Sequence, residues 1–252
     1  MPEPTARVAV IAPMPNELRP VVERLDLTRT GAQGDFPVYT GAAGPTEIVA
    51  TRTGIGPRLA EDATDRLLRS TTVDRVVVTG IAGGIEPVTA VGDLVVPEEV
   101  VDGITGERFR PAPPAGVTVE GIIRTGDGSD YGLGREEIDR LRGEGVVALD
   151  METAAIARVC ERHQVPWIAF RAISDMAGDE SVGEVVMTLV HPDGRPHARK
   201  AAWFLLTHPW KLPRMARLGR EANAAAIAAA DAAVQVCTMP SPDGPGAEGS
   251  ST

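Results

Sequence analysis

The apolar residues of this chain come in short unbroken runs, of which Val76-Val77-Val78 and Trp167-Ile168-Ala169-Phe170 are the clearest, separated by longer stretches of helical character. Unbroken runs suit strands covered on both faces, because a strand with one wet face alternates apolar and polar side chains. The pattern predicts strands at residues 8–12, 38–40, 47–52, 75–79, 93–97, 119–124, 146–149 and 167–170, with helices at 15–25, 57–69, 135–141 and 152–163. Such alternation implies one α/β domain built on a mixed β-sheet flanked by helices on both faces. With 252 residues, 43% of them hydrophobic, the chain has enough apolar surface to fill such a core.

The formal net charge is -10, which argues against broad electrostatic attraction to nucleic acid. Cys160 and Cys237 are the two cysteines, and the four histidines are scattered, so neither a disulfide framework nor a metal site is expected. No cofactor is expected either: Gly-x-Gly-x-x-Gly and Gly-Lys-Ser/Thr are both absent. The N-terminal segment shows neither a signal peptide nor a spanning helix, and the expected compartment is the cytoplasm.

Charges occur where apolar strands end. Asp150, Glu152, Arg171 and Asp175 follow the runs at 146–149 and 167–170, and Glu17 follows the run at 8–12. Ligands of open α/β sheets gather outside the carboxyl ends of the strands, so these groups are placed to converge. Carboxylates with one arginine suit general acid–base chemistry on a neutral, hydroxyl-rich substrate. A purely structural account stands beside this one, with Glu17 and Glu152 as first-turn helix acids and Asp175 as an N-cap. Two glycine-rich stretches, Thr53-Gly54-Ile55-Gly56 and Thr79-Gly80-Ile81-Ala82-Gly83-Gly84, also follow strands. They serve equally as tight turns or as places where backbone amides approach a ligand.

Taken in order, Val8-Ala-Val-Ile-Ala-Pro-Met-Pro-Asn-Glu17, Thr53 to Gly56, Thr79 to Gly84, Val91-Gly-Asp-Leu-Val-Val96, Asp150-Met151-Glu152 and Arg171-Ala-Ile-Ser174-Asp175 resemble the methylthioadenosine/S-adenosylhomocysteine nucleosidase branch of the nucleoside phosphorylase superfamily. The resemblance spans roughly residues 7–190. It implies a single domain around a twisted mixed sheet, a homodimer, and cleavage of a purine nucleoside's N-glycosidic bond. By that resemblance Asp175 protonates the purine, Glu17 activates water, Met151 and Glu152 contact the ribose, and Arg171 positions Glu17, Glu152 and the water. Ile81, Ala82, Gly83, Ser174 and the stretch Ser129-Asp130-Tyr131 would line the substrate.

The departures bear on specificity. Ile81 stands where the family has serine, Ser129 where it has a base-stacking phenylalanine, with Tyr131 as a substitute ring, and the segment 100–109 differs where the family builds its 5′ pocket. The superfamily's phosphorylases hold phosphate with an arginine and a serine at positions occupied here by Val78 and Ile81, which favours water as nucleophile. Arg52 and Arg58 keep phosphate open. The alternatives are a phosphorolytic enzyme, a nucleosidase acting on a lipid-linked or futalosine-type nucleoside, and a nucleoside-binding protein without catalysis. Retention of Glu17, Glu152 and Asp175 favours an enzyme.

A C-terminal helical extension begins at about residue 195, with an alanine-rich helix at 221–236, and residues 238–252 read as a disordered tail. Residues 181–190 read as helical. The basic, tryptophan-bearing stretch 195–220 has the chemistry of an interfacial membrane helix, but the favoured reading is that it covers its own domain or a partner subunit. Pro209 and Pro213 are expected to interrupt its amphipathic face.

Overall fold

The computed structural model describes residues 6–128, 133–178, 191, 193, 197–207, 210 and 212–239. The expectations for Ser129, Asp130, Tyr131, residues 181–190 and the tail from 240 onward lie outside them. An 11-stranded mixed sheet organises the domain around β5 (Arg75–Gly84). Parallel neighbours β1 (Ala6–Ala12) and β11 (Trp167–Met176) flank the first half of β5. Outside β1 come β4 (Thr46–Arg52), parallel to it, and then antiparallel β3 (Phe36–Ala43) and β2 (Thr28–Gln33). Beyond Val78, β5 leaves β1 and pairs antiparallel with β10 (Val146–Asp150) through Gly83 and Gly84. From β10 the sheet continues through β9 (Ile122–Thr125), β7 (Glu99–Asp102) and β8 (Arg108–Phe109), while β6 (Leu94–Val95) pairs with β11.

The unbroken apolar runs have the predicted consequence. Along β1, Ala9 and Ile11 face one core with α2 (Pro57–Ser70) and α4 (Thr153–Arg162), and Val8, Val10 and Ala12 face a second core with α1 (Pro15–Arg24). The final helix, α6 (Leu212–Thr238), joins the second core through Ala230, Ala233 and Val236. Alternate side chains of one strand therefore fill different layers, and neither face is wet. Small alanines let α6 approach the sheet closely. α3 (Arg135–Gly143) packs at the edge near β10, and α5 (Ala198–Thr207) precedes α6.

Three strands were not foreseen: β2, β7 and β8. β2 is exposed at nearly every position, so it has no alternation to read. β3 runs Phe36–Ala43 where 38–40 was expected, and two strands that carry the site run further too. β5 continues through the glycines to Gly84, and β11 continues from Phe170 to Met176, so Arg171 and Asp175 lie inside a strand rather than beyond its end. Asp175 is accordingly no N-cap. Pro213 falls in the first turn of α6, where the missing N–H costs nothing, and does not break it.

Candidate active site

Glu17 lies in the first turn of α1, where the helix field favours an acid. Its Oε2 accepts the Met14 N–H at 2.7 Å, the helix-start role of the structural account. Its Oε1 reaches away from the helix and accepts the Ile81 N–H of β5 at 2.8 Å. One carboxylate thus caps α1 and is pinned over the central strand. Glu152, at the start of α4, is pinned by a different backbone amide: Oε1 accepts the Gly56 N–H at 2.8 Å. Gly56 has φ +96, a conformation that glycine adopts without a Cβ penalty, and it starts α2.

Arg171 joins the acids. Its side chain is wholly buried, with Nη2 2.6 Å from Asp150 Oδ2 and 3.5 Å from Glu152 Oε2. Nε and Nη2 also donate to Thr153 Oγ1, at 3.1 and 2.9 Å. Asp150 is itself held by Thr125 Oγ1 at 2.6 Å, the Thr153 N–H at 3.2 Å and the Thr153 hydroxyl. Among the described residues Arg171 Nη1 has no hydrogen-bond partner. It sits over Gly80: a Cβ there would be 2.3 Å from Nη1 and 2.6 Å from Glu17 Oε1.

Burial raises the Glu17 carboxyl from 4.5 to about 7, against the opposing pull of Arg171 and of the Ile81 and Met14 N–H groups. Burial raises Glu152 as well, opposed by Arg171 and reinforced by Asp150. For Arg171 burial works against the charge, but Asp150, Glu152 and Glu17 outweigh it and hold the guanidinium above its ordinary range. A cation among three buried carboxylates, two of them reluctant to ionise, is a site prepared for positive charge.

The remaining expected residues fall around this group. Met151 is buried between Asp150 and Glu152 in sequence. The Ser174 hydroxyl donates to Asp175 Oδ1 and lies 3.4 Å from the Ala82 carbonyl, and a Cβ on Gly83 would be 3.9 Å from Asp175 Oδ2. Ile81, Ala82 and Gly83 pair with Ala172, Ile173 and Asp175 where β5 and β11 meet, with Ile81 facing the final helix and Ala82 the opposite core. Arg58 is exposed, and Arg52 Nη1 donates to the Asp193 carbonyl at 2.9 Å, with its guanidinium over the Phe36 ring. Asp150, Thr125 and Thr153 had no expected role. The one available signal was the spacing Asp150 to Thr153, which lets a carboxylate accept the N–H three residues on.

The family model for the phosphorylase superfamily matches residues 7–117 and 115–201, which is most of the chain. The chain belongs to the phosphorylase superfamily. Within this superfamily it is similar to the 5′-methylthioadenosine/S-adenosylhomocysteine nucleosidase of Bacillus cereus (strain G9842), 31% identical over 204 residues that cover 69% of this chain and 88% of the relative. Among solved structures it is similar to the nucleosidase of that name from Neisseria meningitidis in complex with methylthio-immucillin-A, at TM-score 0.69 and 24% identity, covering 93% of this chain and 100% of the other. It is also similar to the futalosine hydrolase of Helicobacter pylori, at TM-score 0.70 and 17% identity, covering 93% and 97%. The superfamily's single mixed-sheet domain is the fold described above.

Proposed function

We propose that this protein hydrolyses the N-glycosidic bond of an adenine-type nucleoside, a 5′-substituted adenosine such as methylthioadenosine or S-adenosylhomocysteine, giving free adenine and the sugar. The observation that carries the reading is the group of Glu17, Glu152 and Asp150 around buried Arg171, with Nη1 and Glu17 Oε1 both over Gly80. In the proposed reaction a water lies between those two groups. As the bond from C1′ to the purine breaks, Asp175 delivers a proton to the purine N7, and the electron pair leaves with the base. The water oxygen bonds C1′ and its proton passes to Glu17, whose pKa of about 7 suits a base near neutral pH.

Glu152, held by Gly56, accepts hydrogen bonds from the ribose hydroxyls while Met151 packs against the sugar, and the carboxylates stabilise the oxocarbenium-like charge. Ser174 orients Asp175, and Ile81, Ala82 and Gly83 line the base side. A homodimer in the cytoplasm is part of the same proposal, and no described helix is long and apolar enough to cross a membrane. Adenine release from methylthioadenosine is measured with and without phosphate. Equal rates and free sugar are expected; strict phosphate dependence with a sugar 1-phosphate product would defeat the hydrolytic reading.

A further inference from the structure

Residues 195–220 carry seven Lys or Arg and no acid, in a chain of net charge -10. The same stretch carries the most exposed large apolar side chains among the described residues: Trp203 and Trp210 are 70% exposed and Leu206 78%. Trp203 and Leu206, three residues apart in α5, share one helix face. Trp203 and Leu206 leave most of their surface uncovered by the described residues. In α6 no residue before Ala225 is buried, and from Ala225 onward the helix packs on the sheet.

The direction of α6 places this segment. Ala225 and Ala229 cluster with Ile81 and Ala172, beside the candidate site, whereas Val236 and Cys237 reach the core that holds Val8 at the start of β1. The helix therefore runs against β1 and β5, and its first three turns stand beyond the strand ends that carry the site. At the other end of the segment Asp193 is tied to Arg52, next to the turn that holds Glu152. The extension is thus rooted twice beside the site.

We propose that this face, Trp203, Leu206, Trp210 and Leu212 with Arg199, Lys200, Arg214, Arg217 and Arg220, docks the protein on the surface of an anionic lipid bilayer. Tryptophan and leucine enter the boundary between headgroups and chains while the cations meet lipid phosphate. Charge favours a phosphate-bearing surface: residues 195–220 hold seven Lys or Arg and no acid, and one flanking acid, Glu221, pairs with Arg217. Docking is peripheral, since no described helix could cross the bilayer.

The full chain is sedimented with vesicles of phosphatidylcholine alone and of phosphatidylcholine mixed with phosphatidylglycerol, and tryptophan emission is recorded. Trp167 is buried, so a shift in emission reports Trp203 and Trp210. Binding to the anionic vesicles with a blue shift, and none to phosphatidylcholine, is expected. Replacing Arg199, Lys200 and Arg220 by Gln should weaken binding about a hundred-fold, and Trp203→Ser with Trp210→Ser should abolish the shift, with thermal unfolding unchanged in both. Failure to bind anionic vesicles, or binding that both variants retain, overturns the proposal. So does self-association without vesicle binding that disappears in the tryptophan variant, which would assign the face to a second copy.

Discussion

Gly80 is the position where the site leaves least room. It is not among the glycines with positive φ, so space and not backbone conformation requires it. An added Cβ would lie 2.3 Å from Arg171 Nη1, 2.6 Å from Glu17 Oε1 and 3.2 Å from the Glu17 carboxyl carbon. Neither side chain can yield cheaply, because Arg171 is tied to Asp150 and Thr153 and Glu17 to the Met14 and Ile81 N–H groups. Restoring ordinary contact in Gly80→Ala requires displacements of about 1 Å, enough to lower kcat about a hundred-fold when the displaced groups position the reacting atoms. The overpacking itself costs roughly 1–3 kcal/mol, or a Tm lower by about 2–12 °C for a chain of this size. Adenine release and thermal unfolding measure the two effects. Gly83→Ala is the folding control: its nearest neighbours are at 3.9 and 4.0 Å, so its Tm should stay close to that of the parent. A Gly80→Ala protein with parental Tm and kcat within two-fold would refute the placement of Arg171 and Glu17.

With Glu17 as base, kcat/KM should fall on the acid side of about pH 7 and be about thirty-fold lower at pH 5.5; full activity at pH 5.5 would remove it from that role. The same carboxyl affects stability with the opposite sign. The folded state holds its proton more tightly than the unfolded chain, so its contribution is complete below pH 4.5 and is lost as pH rises to about 7, and Glu17→Gln should flatten that part of a Tm–pH curve. Asp150→Asn should destabilise the fold by about 3–5 kcal/mol by leaving Arg171 short of a counter-charge. Because Asp150 also pushes Glu17 upward, the acid limb of kcat/KM should move to lower pH in that variant; an unmoved limb contradicts the coupling. Cys160 and Cys237 are buried, and burial lifts the Cys237 thiol to about 12 and Cys160 higher still, so a disulfide reagent should label neither until the chain is denatured.

The central strands were legible because their runs are apolar on both faces, and the helices because they separate those runs. The end of β11 was not. Reading outward from Phe170, the first charge looks like the end of a strand, since a lone buried guanidinium is too costly to keep. Here the chain continues as strand for six residues because Asp150 and Glu152 offset the charge, and those acids arrive from the far side of β5 through β10 and α4. A pairing between strands that are not neighbours in sequence leaves no local periodic trace. Glu17, Glu152 and Arg171 could be named from their positions, whereas the use of Asp150 depended on knowing that β10 and β11 both lie against β5. Glu17 also shows that the structural and functional accounts of a residue need not compete: one oxygen caps α1 and the other reaches Ile81.

The charge balance around Arg171 bears on which step the site favours. Asp150 is the closest counter-charge, and once it is paired Glu17 and Glu152 share what remains of one cation. Burial makes their ionised forms unfavourable in the free protein, which is why both carboxyls are shifted upward. Under the proposed reaction a neutral nucleoside changes this little, but a sugar ring that becomes positive as the base departs supplies the missing cation. The carboxylates then interact more strongly with the transition state than with the substrate, and only that difference accelerates the chemical step. An incoming phosphate dianion would meet the opposite field. Arg171 commits Nε and Nη2 to Asp150, Glu152 and Thr153 and keeps Nη1 alone for a ligand, and the apolar side chains of Val78 and Ile81 provide no further donor. The same electrostatics that favour a cationic sugar therefore favour water over phosphate as its nucleophile.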